Sequence, residues 1–290
     1  MLNHSQGFTL VELMVAMFIS SLILVLTFTL VDGNRKLYDT DSRRVDVNQN
    51  LQSALLILTN DLRQAGERLP ANFPSLEVVT GTSDTIILRR NILDVVLPVC
   101  KDINGGSNRD VVFIAKNGSS KIPANCKDAD PNLLTTWKKY RLDNGGKIKA
   151  YIYDPKLKRG EMFTYDDEDS SGQKIHHEGD HWDYDYDIDN EPVLYVIEER
   201  TYRVLDGDLV MDENKTGYQP VAPNISAMKA SLVLKDGTVA TGNFPTLSAN
   251  WKDLNDVNLS LTGTSTFAGR STTRTLSNKV SLRNAFSADQ

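Results

Sequence analysis

Apolar positions fall into three patterns along the chain. From Phe8 to Val31, 24 residues carry a single charge, Glu12. As a helix this block is about 36 Å long, enough to cross a hydrocarbon core of ~30 Å. Asp32, Arg35 and Lys36 then mark its exit into water. The second pattern begins at Asn48, where Leu51, Leu55, Leu58, Leu62 and Ala65 recur at spacings of 4, 3, 4 and 3. That rhythm predicts an amphipathic helix with one buried stripe. Ala65-Gly66 is a C-cap signal, and Pro70, the first proline, lies just beyond. The two patterns predict one helix from about Phe8 to Gly66, with an apolar half at residues 8–33 and an amphipathic half at 34–69. Asp32-Gly33-Asn34 is its weak point, because glycine costs about 1 kcal/mol in a helix interior. It reads either as a place of local unwinding or as a tolerated glycine.

The third pattern is a series of short β-rich runs after Pro70. They are Thr85–Leu88, Val111–Ile114, Ala150–Tyr153, Val193–Ile197, Val257–Leu261 and a last strand around Asn278 to Leu282. Asp206-Gly207 and Asp236-Gly237 are hairpin signals. The predicted fold class is α+β: a long amino-terminal helix packed on an antiparallel β-sheet domain at residues 70–290.

Composition narrows the function. The 290 residues are 24% charged and 40% hydrophobic, as in an ordered globular chain. A net charge of −6 argues against a generic nucleic-acid coat, which would be basic. Two cysteines exclude a zinc ribbon and a disulfide-dense scaffold. No nucleophile–base pair or phosphate loop stands out, so the chain reads as a building block rather than an enzyme.

The apolar block is a poor secretory signal, because it ends in Leu-Val-Asp-Gly-Asn without a small-residue cleavage site. A plain signal anchor would not need Glu12, whose carboxylate costs at least ~2.5 kcal/mol inside a membrane. Gly7 stands at the border between a polar leader and the apolar run. Together they spell Gly7-Phe8-Thr9-Leu10-Val11-Glu12-Leu13, which closely resembles the class III signal of type IV prepilins and pseudopilins. The resemblance implies that residues 1–7 are a leader, removed after Gly7 by prepilin peptidase, which then methylates the amine of Phe8. It departs from the family in one respect: Met1 to Gln6 contain no Lys or Arg. A cytoplasmic leader then rests on little positive charge. Glu12 would attract the Phe8 amine of an incoming subunit in low dielectric. The alternative is a Glu12 paired within its own chain and without an assembly role.

Three further strings carry a narrower resemblance. Leu58 to Gly66 resembles the helix end of PilW-type minor pilins. Tyr202-Arg203-Val204-Leu205-Asp206-Gly207-Asp208-Leu209 resembles their hairpin, and Val280-Ser281-Leu282-Arg283-Asn284 their carboxy-terminal strand. Such proteins help to initiate pilus assembly with other minor and major pilins. The implied location is the inner membrane, single-pass with a periplasmic domain, and then the surface pilus. The alternatives are a type II secretion pseudopilin of the J type, whose end is similar but whose family is shorter, and a minor pilin of DNA uptake. In an oxidising periplasm, Cys100 and Cys126 are expected to form a disulfide, with two buried thiols as the alternative.

The middle of the chain is charged in two blocks. Residues 138–159 have eight basic and two acidic side chains, interleaved with Tyr140, Tyr151 and Tyr153 and preceded by Trp137. That composition fits a DNA surface or, more simply, a solvated sheet face. Residues 166–191 have eleven acidic residues and one lysine, so the two blocks are expected to neutralise each other. Within the second block, Asp167, Asp169, Ser171, the Gln173 carbonyl and Glu178 match the spacing of a twelve-residue calcium loop, with Gly172 at the turn. Lys174 and the non-helical flanks depart from an EF-hand. This leaves a non-helical Ca2+ loop or a solvated acidic loop. His176, His177 and His181 add a transition-metal alternative.

Overall fold

A computed structural model describes residues 9–69, 73–106, 111–115, 126, 131–169, 173–178, 181–245, 253–267 and 270–284. The chain opens with α1 (Leu10–Gln64), a single helix of 55 residues. Thr9 is its N-cap and Ala65 its C-cap. Gly66 then turns at a φ of 77° and donates its N–H to the Arg89 carbonyl at 2.9 Å. The helix is unbroken through Gly33. An Asp32–Lys36 ion pair one turn apart spans the position.

The buried stripe is the predicted one: Val47, Leu51, Ala54, Leu55, Leu58, Thr59 and Leu62. No described residue before Val47 is buried. The apolar half of α1 therefore projects from the domain.

The first sheet contains β1 (Leu76–Val79), β2 (Thr85–Asn91), β3 (Leu97–Pro98), β4 (Val111–Phe113), β5 (Ile148–Asp154), β6 (Arg159–Glu168), β7 (Lys174–Glu178), β8 (Val193–Leu205), β9 (Asp208–Glu213) and β10 (Tyr218–Ala222). Its main path runs β1-β2-β8-β5-β6-β7-β4. The long β8 joins its two ends, pairing with β2 and β9 at one end and with β5 and β3 at the other. The second sheet contains β11 (Ile225–Leu234), β12 (Val239–Ala240), β13 (Leu254–Phe267) and β14 (Arg270–Ser281), in the order β12-β11-β13-β14. Every described pairing between strands is antiparallel. Both aspartate–glycine hairpins form, with Asp206 and Gly207 at φ of 52° and 86° and Gly237 at 86°. Positive φ at both Asp206 and Gly207 suits the turn that matches strand twist, whereas the second hairpin has only Gly237 in that region, as in a type I turn followed by a left-handed glycine.

The single expected sheet is thus two, tied together by a buried carboxylate. Asp84 follows the β1–β2 turn and is 3% exposed. Its Oδ2 accepts the Ala230 N–H at 2.9 Å, and its Oδ1 meets Lys229 Nζ at 3.1 Å. The α1 stripe packs into the core that both sheets share, with Leu76, Ile86, Tyr202, Leu209, Met228, Leu259 and Leu261. Close approach of β13 requires Gly263, where a Cβ would stand 2.8 Å from Val47 Cγ1.

A second core lies under α2 (Pro131–Asp143), with Leu134, Trp137, Ile152, Tyr165 and Trp182. This helix was not expected, and it moves Lys138, Lys139 and Arg141 off the sheet face predicted for them. Leu134, Trp137 and Arg141 are all buried, at i, i+3 and i+7, and Pro131 stands at its first position, where the missing N–H costs nothing. The short period was hidden among neighbouring β runs.

Leu58 and Leu56 give a direct test of which face of α1 the domain holds. Leu58 is 0% exposed and Leu56 63%. Leu58→Ala is expected to cost about 2–5 kcal/mol, and Leu56→Ala no more than about 0.5 kcal/mol. Denaturant midpoints of the full chain in detergent check the difference.

Candidate assembly surface

The projecting half of α1 is apolar on every side. Leu10 is 77% exposed, Phe18 68% and Phe28 69%. Three of its hydroxyls are satisfied internally: Ser21, Thr27 and Thr29 donate at 2.8 Å to the carbonyls of Phe18, Ile23 and Leu26 respectively. A helix so arranged is long and apolar enough to cross a membrane, and it fits membrane anchoring.

Gly7 and Phe8 lie outside the described residues. Glu12 does not. Its Oε2 accepts the Thr9 N–H and the Thr9 hydroxyl, both at 2.9 Å, while its own N–H donates to Thr9 Oγ1 at 3.3 Å. This is a reciprocal capping box, which satisfies helix-start groups where water is scarce. Within one subunit, Glu12 therefore has a partner in its own chain. The Thr-x-x-Glu spacing that encodes it was present in the sequence but was read only as part of the signal.

At its other end α1 is fastened to the sheets by polar contacts. Asp61 receives Arg200 Nη1 on both carboxylate oxygens at 2.9 Å, together with the Tyr202 hydroxyl. Glu198 joins Arg200 at 2.7 Å and Arg90 at 2.9 Å, and Arg90 also bonds Gln64. Burial works against the Arg200 charge, but the bond to Asp61 and its charge prevail and hold the guanidinium above its ordinary value. Burial, then the bond to Asp61, push the Tyr202 phenol up. From β14, Asn278 Nδ2 reaches Thr59 Oγ1 at 3.0 Å. Asn284 Nδ2 bonds the Ala65 carbonyl at 3.0 Å and so closes the helix end. The three strings singled out in the sequence, Leu58–Gly66, Tyr202–Leu209 and Val280–Asn284, thus meet at one junction. Their order in the chain gave no hint of it.

Cys100 and Cys126 form a disulfide with Cα atoms 5.8 Å apart. The charged blocks neutralise each other, as expected. Lys147 pairs with Glu178 at 2.7 Å, and Arg141 and Lys138 both hold Glu168. Trp137, Tyr151 and Tyr153 are buried and offer no platform for stacking bases, so these residues do not carry the DNA reading.

The calcium-loop residues are distributed along a hairpin. Asp167 faces His176, whereas Glu178 faces Thr164 at the far end of the pairing. Asp169 Oδ1 caps the N–H groups of Gln173 and Lys174 at 2.9 and 3.1 Å. Ser171 and Gly172 lie outside the described residues. Among the described residues no group of three or more His, Cys, Asp or Glu side chains is placed to hold a metal. His177 packs against Trp182, with ring centroids 4.5 Å apart, in place of the transition-metal cluster. Acids in and beside the block support loops: Glu161 accepts the Asp183 N–H and the Tyr186 hydroxyl at 2.9 Å each, and Asp185 accepts the Gly105 N–H at 2.7 Å.

The prokaryotic N-terminal methylation motif matches residues 2–28. No curated protein matches the sequence significantly. A type IV-like pilin from Thermus thermophilus is similar in structure at 9% identity and a TM-score of 0.37, over 82% of this chain and 97% of that one. The fold class rests on the helix and sheets described above, and the motif marks the chain as a substrate type for prepilin processing.

Two outcomes test the charged middle. Burial pushes the Glu168 carboxyl up, but hydrogen bonds from Lys138, Tyr165 and Arg141 outweigh it and hold the group below the usual carboxylate range. Its stabilisation is full above the ordinary glutamate value and is lost as pH falls through the lowered one. Stability should therefore fall on acidification below about pH 4.5, and Glu168→Gln should flatten that limb in pH-dependent thermal melts. Millimolar calcium and magnesium should shift the melting temperature equally, as general screening does. A calcium-specific rise abolished by Glu178→Ala would restore the calcium loop.

Proposed function

We propose that this chain is a subunit of a type IV pilin-like filament, and within that class a PilW-type minor pilin that takes part in initiating assembly. The observation that carries the reading is the projecting helix half. It is apolar all round, opens with a single carboxylate under a methylation motif, and is fastened rigidly to a β-rich head. Such a helix has two compatible environments, the hydrocarbon of the inner membrane and a bundle of similar helices. Transfer between them leaves the head outside both. The junction of Asp61, Arg200, Tyr202 and Asn284 supports the PilW-type assignment, because the three strings of that resemblance form it. A pseudopilin of type II secretion would use the same helix and differ in its filament. The role is structural, with prepilin peptidase and other minor and major pilins as partners.

Glu12 enters assembly by exchanging partners. In the free subunit it is engaged by Thr9. After cleavage a charged amine at Phe8 becomes available, and in low dielectric its full charge attracts the carboxylate more strongly than the Thr9 N–H and hydroxyl dipoles do.

The deciding experiment is mass spectrometry of the mature amino terminus. A chain starting at N-methylated Phe8 is expected, and an intact Met1 or a cut near residue 30 would overturn the reading. Glu12→Ala should insert into the membrane at least as well as the parent but be recovered less in sheared filaments, with Glu12→Asp between the two.

A further inference from the structure

We propose that the open edge of β14 is a strand-addition site for an extended, acidic segment of a neighbouring subunit. The inference goes beyond the filament reading and rests on it only for the identity of the neighbour.

Among the described residues the sheet edges are short or broken, with one exception. Strand β3 and strand β12 have two residues each, β4 three and β1 four. Strand β10 has five, but contains Pro220 and a register irregularity beside it. Those are the usual ways of disabling an edge. Strand β14 has twelve residues, contains no proline, and pairs with β13 at twelve consecutive positions without a bulge. Strand β13 forms its other pairing, with β11, through two register shifts. The regular ladder therefore lies on the open side. Ser271, Thr273, Arg274, Thr275, Ser277, Asn278 and Lys279 are exposed, and no described strand lies beyond β14. An edge of this length spans about 40 Å.

Charge selects the occupant. Strand β14 carries Arg270, Arg274 and Lys279 and no acidic residue. Lys279 is engaged by Asp256 at 2.8 Å, whereas Arg274 has no ion-pair partner among the described residues. It lines a cleft of about 410 Å³ with Arg44, Val47, Ser271, Thr272 and Thr273. Arg44 contributes a second cation there, 3.6 Å from Asp41. Two copies of β14 placed edge to edge would oppose like charges, which disfavours self-pairing. An acidic strand would gain backbone bonds and meet Arg274 and Arg44 together. Strand β14 also runs beside α1, where Asn278 Nδ2 reaches Thr59 Oγ1. Subunits drawn together by their helices would have their heads beside it.

The test uses the full-length protein in detergent micelles, which does not require filament formation. The probes are two synthetic peptides of about ten residues, one alternating valine with glutamate and the other valine with lysine. The glutamate peptide should bind, more weakly in high salt, and should protect alternate amides of β14 from hydrogen exchange. Arg274→Glu should weaken that binding at least about tenfold while leaving the melting temperature unchanged, since the side chain is exposed. Equal binding of both peptides, no binding, protection outside β14 or concentration-dependent self-pairing through β14 would each overturn the proposal. Mass spectrometry of the same preparation keeps the two readings apart. A processed Phe8 terminus without peptide binding removes only the strand-addition site. Peptide binding to an unprocessed chain removes the filament reading instead.

Discussion

The docking of the second half of α1 is the interaction on which the rest of the molecule depends. The stripe from Val47 to Leu62 fills the core that the two sheets share. Each buried leucine contributes about 1.5–3 kcal/mol, and the leucines alone would leave the helix free to slide. The Asp61 contacts to Arg200 and Tyr202 restrict that freedom, because a part-buried carboxylate that holds one guanidinium nitrogen on both oxygens, and a phenol besides, tolerates little displacement. Asn284, from the far end of the chain, closes the same helix end. A protein that must carry a long exposed helix needs this rigidity, since any looseness at the junction would be magnified along the projecting part.

The charged middle follows a different logic. Its acids are too numerous for a neutral surface, and many of the described ones have partners close by. They are spent locally: Glu168 and Glu178 on cations of the preceding block, Asp169 on the turn of its own hairpin, Glu161 and Asp185 on loop N–H groups. Carboxylates satisfied in this way keep an irregular lobe ordered around the second core, where Trp137, Trp182 and Tyr186 are buried under α2.

Capping and edge control show how the ends of elements are adapted to their surroundings. Thr9 and Glu12 satisfy each other where the helix begins in an apolar setting. The sheet margins are shortened, bent or interrupted except at β14, whose basic residues oppose pairing with its own kind. Both devices act through the backbone groups that an element leaves unpaired.

The sequence by itself determined the elements whose information is local. The projecting helix, its buried stripe, the hairpins at Asp206-Gly207 and Asp236-Gly237, and six of the fourteen described strands follow from periodicity and turn chemistry, which act within a few residues. The processing signal was legible for the same reason, being one contiguous string. Helix α2 was written in a short period but was masked by β-rich neighbours. Tertiary structure alone decided how the β runs divide into two sheets, which carboxylate each cation meets, and that Leu58–Gly66, Tyr202–Leu209 and Val280–Asn284 share one junction. Those outcomes join residues as far apart as Ala65 and Asn284. Competition among partners in three dimensions settles them, and no local pattern can encode that choice.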